Sequence, residues 1–413
     1  MKQQVAITGV GLVTPIGIGV EPVWQRLHQQ ASAVRTIDRF DSTPFRCHVA
    51  ASIDDFDPER LLDRRLARRT DRCSQLALAA SEQAMADAGL GEGDLDAART
   101  GVMMGTALGG IGFAEEQNGL YLREGLRAVD PLLALTVFGG AVSCNIAIRH
   151  GFTGVNSTNA MSCASGTIAL GQAFKAIARG EADVTLAGGS EAPLYPLCFG
   201  AFAMIRAMSS RNDDPATASR PFDRDRDGFV MAEGAAVLVL ESLSHAASRG
   251  ARIYGTIAGF GLTNDGHHMT SPHPDGEHAA RAMRLALEDA DATADEVDWV
   301  NGHGSSTPLN DSTEAAAIRT VLGEQADRAV VSGTKGWHGH ALGATGAIET
   351  AIVAISLSRG WIPGTLNCLD PVSEGGLSFV PAGGMVTRPR AVLKNSFGFG
   401  GSNAVLLLRS LPV

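Results

Sequence analysis

Asn159-Ala160-Met161-Ser162-Cys163-Ala164-Ser165-Gly166 sets a cysteine among small residues, between a strand-like run and a helix pattern. Before it, Val155-Asn156-Ser157-Thr158 reads as a strand. After it, Leu170, Phe174 and Ile177 recur at i, i+4 and i+7, and Gly180 supplies a stop. A thiol on a strand-to-helix turn faces free backbone N–H groups and the positive end of the helix dipole. Both lower its pKa and raise its content of thiolate, the nucleophilic form. A buried, inert cysteine is the plain alternative, and Cys163 alone does not decide between them.

Two histidines tip the balance. His303 lies in Val300-Asn301-Gly302-His303-Gly304-Ser305-Ser306-Thr307-Pro308, where a short apolar strand gives way to a polar loop. His340 lies in Lys335-Gly336-Trp337-His338-Gly339-His340-Ala341-Leu342-Gly343, between a predicted strand from Ala329 to Ser332 and a predicted helix from Ala344 to Leu357. Both imidazoles are thus predicted at strand ends, where open α/β sheets build their sites.

Further strands are predicted at Val5 to Val10, Gly101 to Met104, Val184 to Ala187, Ala236 to Leu240, Ile253 to Ala258 and Val405 to Leu408, alternating with amphipathic helices. That alternation implies a layered α/β fold. A faint repeat accompanies it. Ala84-Met85-Ala86-Asp87-Ala88 ends a helix before the strand at Gly101, and Leu285-Ala286-Leu287-Glu288-Asp289-Ala290 ends another before a strand at Val297. Two similar halves meeting near residue 250 follow, residues 1–250 and 251–413.

Cys163, His303, His340 and Lys335, with the tail Asn395-Ser396-Phe397-Gly398-Phe399-Gly400-Gly401-Ser402-Asn403, resemble the β-ketoacyl-acyl-carrier-protein synthases, in particular their elongating type II group with a Cys-His-His site. Arg220-Pro221-Phe222-Asp223, Arg226-Asp227-Gly228-Phe229-Val230 and Thr334-Lys335 follow in family order. The resemblance covers almost the whole chain. It implies the thiolase fold, a five-layered α-β-α-β-α duplication with the nucleophile in the first half and both histidines in the second. It also implies a decarboxylative Claisen condensation. Cys163 would hold an acyl chain as a thioester, while His303 and His340 stabilise the enolate left when malonyl thioester loses CO2. The backbone N–H groups of Cys163 and Phe399 would hold the oxyanion. No cofactor or metal is required.

The same resemblance assigns Thr270 and Thr307 to the phosphopantetheine arm, and Phe202, Leu108, Leu133, Gly398 and Gly400 to substrate binding. Docking of an acidic acyl carrier protein falls to Arg65, Arg68, Arg69, Arg127 and Arg206. The first three belong to a cluster of six arginines between Arg60 and Arg72, which without the resemblance reads as a solvated helix face. Lys335 either tunes His340 or, more plainly, pairs with Glu349 to fix its loop. Asp311 and Glu314 either orient water or cap a helix beginning near Ser312. His267, His268, His273 and His278 have no metal-ligand spacing and read as a solvated entrance loop.

Departures from the family pattern bear on the acyl chain. His338 stands where Thr is usual, Ala232 replaces a common glycine, and Asp130-Pro131-Leu132-Leu133-Ala134-Leu135, a stretch expected to reach a partner subunit's acyl pocket, lacks the usual Phe and second Pro. A specialised polyketide or polyene pathway therefore stands beside fatty-acid elongation. A catalytic subunit paired with a non-catalytic chain-length partner stands beside the homodimer. A thiolase would carry a second cysteine in the tail, where Gly398-Phe399-Gly400-Gly401 has none. An initiating synthase would have Asn in place of His340, and a chain-length subunit would lack Cys163.

Composition agrees. A chain of 413 residues, 45% apolar, can bury a large core, and its net charge of −10 argues against nucleic-acid binding. Six scattered cysteines without a paired motif read as reduced thiols. Glycine, threonine and proline interrupt the apolar start from Met1 to Pro15, so it reads as a buried strand and not a signal peptide. With no long apolar span, a soluble cytoplasmic protein is expected.

Overall fold

A computed structural model of the chain describes residues 3–91 and 93–411. The first half runs Val5–Thr14 (β1), Arg72–Asp87 (α1), Thr100–Gly105 (β2), Ala141–His150 (α2), Asn156–Asn159 (β3), Ser165–Ala178 (α3), Val184–Glu191 (β4) and Gly234–Ser242 (β5). The second repeats that order with Gly255–Asn264 (β6), Glu277–Asp289 (α4), Trp299–Asn301 (β7), Pro308–Leu322 (α5), Val330–Ser332 (β8), Leu342–Arg359 (α6), Ala391–Gly398 (β9) and Ser402–Arg409 (β10). Shorter helices and strands fill the connections.

Strand order makes the duplication plain. It runs β3-β2-β4-β5-β1 in one half and β8-β7-β9-β10-β6 in the other, and the halves join where β1 pairs antiparallel with β6 through Val5↔Ile257 and Ile7↔Gly255. In each half the first three strands of that order are parallel and the last two antiparallel. The outer helices lie on equivalent glycines. A Cβ on Gly9 or Gly11 would meet the carbonyls of Ala84 or Ala80 on α1 at 2.2 and 1.9 Å. One on Gly259 or Gly261 would meet those of Ala286 or Ala282 on α4 at 2.0 and 1.9 Å. Only glycine permits a helix to lie this close to a strand.

Helices α3 and α6 form the middle layer. Every residue from Leu342 to Leu357 is buried, which suits a stretch of small and apolar residues in which Glu349 is the one charge. The result is five layers, the α-β-α-β-α arrangement of the thiolase fold. The strand expected at Val297 begins instead at Trp299, because Thr293 and Glu296 close a capping box around a single 3-10 turn. The first half also carries two long insertions, residues 106–140 and 192–233, which contain Leu108, Arg127, Leu133, Phe202 and Arg206. No helix among the described residues is long and apolar enough to cross a membrane.

Candidate active site

Cys163 sits on a 3-10 turn, Ser162–Ala164, between β3 and α3. Asn159 locks this turn by donating to the Ser165 carbonyl at 3.0 Å, while Ser165 Oγ donates to the carbonyls of Ser162 and Thr106 at 2.8 and 3.1 Å. Non-glycine residues adopt positive φ around the site: Ser162 at 52°, Ser306 at 67° and Leu342 at 39°. Such conformations cost about 1–3 kcal/mol each and persist only where the surroundings impose them.

Cys163, His303 and His340 line one cavity of about 360 Å³, together with Thr270, Thr307, Arg206, Gly398 and Phe399. The imidazoles meet edge-on, with centroids 5.3 Å apart. Each is oriented from behind: His340 Nδ1 lies 2.9 Å from Thr345 Oγ1, and His303 Nδ1 lies 3.4 Å from Lys335 Nζ. The Nε2 atoms have no protein hydrogen-bond partner among the described residues, so a substrate oxygen has two unengaged ring nitrogens to meet. Burial first, then the Lys335 charge, holds both imidazoles well below their ordinary range. They are neutral donors at pH 7.

The thiol differs from expectation. Burial pushes Cys163 up, and the Ser162 hydroxyl, the Lys335 charge and the Phe399 N–H only partly offset it. Burial of the turn favours the uncharged thiol over the helix-dipole effect. Phe399, whose N–H is among the groups that offset this rise, lines the cavity beside Cys163. Gly398 makes room for this, since a Cβ there would lie 3.1 Å from the Cys163 nitrogen.

Beneath the histidines lies a charged layer. Glu349 Oε1 and Oε2 accept from Lys335 and Lys394, each at 2.7 Å, and all three side chains are buried. Lys335 thus makes the expected ion pair, but it touches His303, both ring and carbonyl, and not His340. Glu314 accepts from the His303 and Gly304 N–H groups at 2.7 and 2.9 Å and fixes that loop. Asp311 caps nothing. Pro308 starts α5 earlier than expected, with Thr307 before it, and leaves Asp311 buried within the helix, where it holds the Ser306 and Phe222 N–H groups. His338 is also buried, with Nε2 3.0 Å from Thr334 Oγ1 and Nδ1 without a hydrogen-bond partner among the described residues.

Phe202 stacks over Phe399 at 6.5 Å, and Leu108 joins the apolar cluster around Cys163. Gly400 donates to the Met269 carbonyl and so ties the tail loop to the Thr270 loop. His267, His273 and His278 form an edge-on chain with spacings of 5.2 and 5.3 Å, while His268 reaches the cavity. Leu133 lies apart from the Cys163 cluster, on a short helix beside exposed Leu135, Val137 and Phe138. Arg65, Arg69 and Arg127 are exposed, but the arginine cluster is less basic than its count suggests. Arg72 turns inward to buried Glu233, Arg64 and Arg68 share Glu59, and Arg60 pairs with Asp57.

Two site residues were not foreseen, Lys394 and Glu191. Glu191 accepts from the Ala107, Leu108 and Gly343 N–H groups and from Thr106 Oγ1, and burial pushes it up to about 7. Their signal in the sequence is a single charge in or ending an apolar strand, Ala391-Val392-Leu393-Lys394 and Val184-Thr185-Leu186-Ala187-Gly188-Gly189-Ser190-Glu191.

A duplicated five-layered fold with a cysteine and two neutral histidines on one cavity defines the thiolase-fold class of acyl-transferring enzymes. Residues 2–246 match the family profile "Beta-ketoacyl synthase, N-terminal domain", and residues 254–369 match "Beta-ketoacyl synthase, C-terminal domain". The chain is similar to "3-oxoacyl-[acyl-carrier-protein] synthase 2" of Synechocystis sp., 40% identical over 99% of this chain and 98% of the relative. It is equally similar to the protein of that name from Coxiella burnetii, 40% identical over 98% of each. Among solved structures, the ishigamide ketosynthase/chain length factor superposes with a TM-score of 0.93 at 34% identity, over the full length of both chains. A type II polyketide ketosynthase in complex with its acyl-carrier protein does so with a TM-score of 0.91, also at 34% identity and full coverage of both. The chain belongs to the beta-ketoacyl synthase family.

Proposed function

We propose that the protein condenses malonyl-acyl-carrier-protein with an acyl chain held on Cys163, giving 3-oxoacyl-carrier-protein in fatty-acid or polyketide elongation. Cys163 attacks the carbonyl of an incoming acyl thioester, and the pantetheine thiol leaves with the cysteine's proton. Malonyl thioester then enters along Thr270 and Thr307. Its C–CO2 bond breaks, and the enolate oxygen takes hydrogen bonds from His303 and His340. The new C–C bond forms at the Cys163 thioester, whose oxyanion meets the Phe399 N–H. Collapse of that intermediate frees the Cys163 sulfur, which takes up one proton. The observation that carries this reading is the convergence of the three side chains on one cavity, where burial and the Lys335 charge disfavour protonation of both imidazoles.

Arg65, Arg68, Arg69, Arg127 and Arg206 are read as the docking surface for the acidic carrier, and residues 1–250 and 251–413 as the two halves. A cytoplasmic location belongs to the same reading, supported by six free cysteines. The exposed apolar residues Leu122, Leu126, Leu135 and Phe138 suit a dimer face, and the likeness to a ketosynthase/chain length factor favours a heterodimer as the second form.

Mass measurement of the intact protein after incubation with acyl-carrier thioester tests the reading. Cys163→Ala should carry no acyl adduct. His303→Ala and His340→Ala should load acyl chains yet lose malonyl decarboxylation, by roughly 10²–10³-fold for each donor removed. An adduct on Cys163→Ala, or histidine variants that decarboxylate at the native rate, would refute it. Condensation by the purified chain without a partner favours the homodimer.

A further inference from the structure

Glu191 ends β4 with no solvent exposure and, among the described residues, no cation in hydrogen-bond contact. Its oxygens accept from four other donors. Oε1 takes the Leu108 N–H and the Thr106 hydroxyl, each at 3.1 Å, and Oε2 takes the Ala107 N–H at 2.6 Å and the Gly343 N–H at 3.0 Å. Thr106, Ala107 and Leu108 follow β2 and open the 106–140 insertion, whereas Gly343 is the second residue of α6. One side chain thus ties a segment of the first half to a segment of the second. The two are closely packed: a Cβ on Gly343 would stand 2.3 Å from the Ala107 nitrogen and 2.7 Å from Glu191 Oε2.

These segments carry apolar side chains beside the nucleophile. Leu108 bears one of the held N–H groups, and Leu342 immediately precedes another. Both belong to the apolar cluster that contains Cys163, and Leu342, with its φ of 39°, also lines the cavity. Thr106 extends the tie to the nucleophile turn. Its hydroxyl accepts from the Gly109 N–H at 3.0 Å, and its carbonyl accepts from Ser165 Oγ, two residues after Cys163, at 3.1 Å. Burying a carboxylate is costly, and an uncharged side chain would avoid that cost. Only a carboxylate, however, offers acceptors on both oxygens. A glutamine has one acceptor oxygen, and its NH2 would confront either the Ala107 and Gly343 N–H groups or the Leu108 N–H with another donor.

We propose that Glu191 is a positioning residue that sets acyl-chain selectivity: its carboxylate fixes Leu108 relative to Leu342, and with them the space open to a straight acyl chain on Cys163. This rests on the reading of Cys163 as the residue that holds the acyl chain.

The test follows acyl loading of the full chain by intact mass, with straight-chain acyl-carrier-protein thioesters lengthened two carbons at a time. It is run at pH 8, above the value of about 7 to which burial pushes Glu191, so that the native carboxylate is charged. A firm apolar pocket discriminates by about tenfold or more per methylene, so the native loading rate should fall steeply at one length. The readout is the ratio of the rates just beyond and just before that step. Glu191→Gln should raise this ratio about tenfold, because the released Leu108 segment yields to the longer chain. Leu108→Ala should raise it as well, and adding Glu191→Gln to that variant should alter it by less than about twofold, since both act on one wall. A uniform loss at every length with the native ratio would mark Glu191 as structural only and overturn the proposal. Effects of the two substitutions that multiply, or a native profile without a step, would overturn it too. Should Glu191→Gln fail to fold, Thr106→Ala takes its place. It removes one donor to Oε1 and the acceptor of the Gly109 N–H, and a folded variant with the native ratio would overturn the proposal. A native protein that takes no acyl group on Cys163 at any length would instead sink the underlying reading, and this proposal with it.

Discussion

Replacing Gly166 by Ala tests whether the spacing of the two central helices sets the rate. Gly166 is the second residue of α3, three positions after Cys163, and faces α6. A Cβ there would lie 2.8 Å from the Ala347 nitrogen and 3.0 Å from the Gly343 carbonyl oxygen. Ordinary contact begins at 3.4 Å, so the helices must separate by about 0.6 Å. Alanine in place of glycine within a helix gains about 1 kcal/mol of intrinsic stability, while overpacking a core costs about 1–3 kcal/mol. The net loss of stability should therefore be small, at most about 2 kcal/mol. The effect on chemistry should be larger, because Cys163 moves with α3 and His340 with α6. A misplacement of 1 Å can cost about 10²-fold, so 0.6 Å predicts a loss on the order of tenfold in condensation rate. The assay pairs thermal unfolding with single-turnover condensation of a preloaded Cys163 acyl enzyme. A folded Gly166→Ala protein that condenses at the native rate would refute the argument that helix spacing controls the reacting geometry.

Among the described residues no carboxylate pairs with Arg65 or Arg69, so reversing both to Glu should raise KM for carrier-bound substrates about three- to tenfold and flatten its salt dependence. An equal loss on a small pantetheine thioester would show that the patch is structural. His338→Thr should resist acid better than the native protein. Burial holds His338 at about 4, so the unfolded chain binds the extra proton between pH 6.5 and 4, and native stability falls as pH drops through that window. The difference should reach about 2 kcal/mol at pH 5 in denaturant titrations, and parallel stability curves for the two proteins would contradict it.

The reactive centre was the more legible part of the sequence. Glycines and small residues around Cys163, His303 and His340 mark turns where strands end, and turns are local events that composition reveals. The duplication was legible only at its helix ends. Its stronger trace, Ile7-Thr8-Gly9-Val10-Gly11-Leu12 against Ile257-Ala258-Gly259-Phe260-Gly261-Leu262, follows from outer helices resting on equivalent glycines. It was hidden because the insertions at 106–140 and 192–233 make the offset between matching elements uneven. The Cys163 thiol and Asp311 were misread for a common reason. Their character depends on distant partners: burial of the Cys163 turn and an N–H from Phe222. Lys394 and Glu191 escaped notice because the carboxylate of Glu349 and the N–H groups of Ala107, Leu108 and Gly343 that hold them lie far away in the sequence.

The strand before the nucleophile has a further consequence. β3 lies at the end of the sheet, paired with β2 on one side only among the described residues, and it leads within four residues to Cys163. Exposed Ile148, Val155 and Met161 surround it. A sheet edge of this kind invites a neighbouring chain, and whatever docks there grips the segment that feeds the nucleophile. A chain docked along β3 would hold the segment that leads to Cys163, so that assembly and reactivity would be mechanically in series.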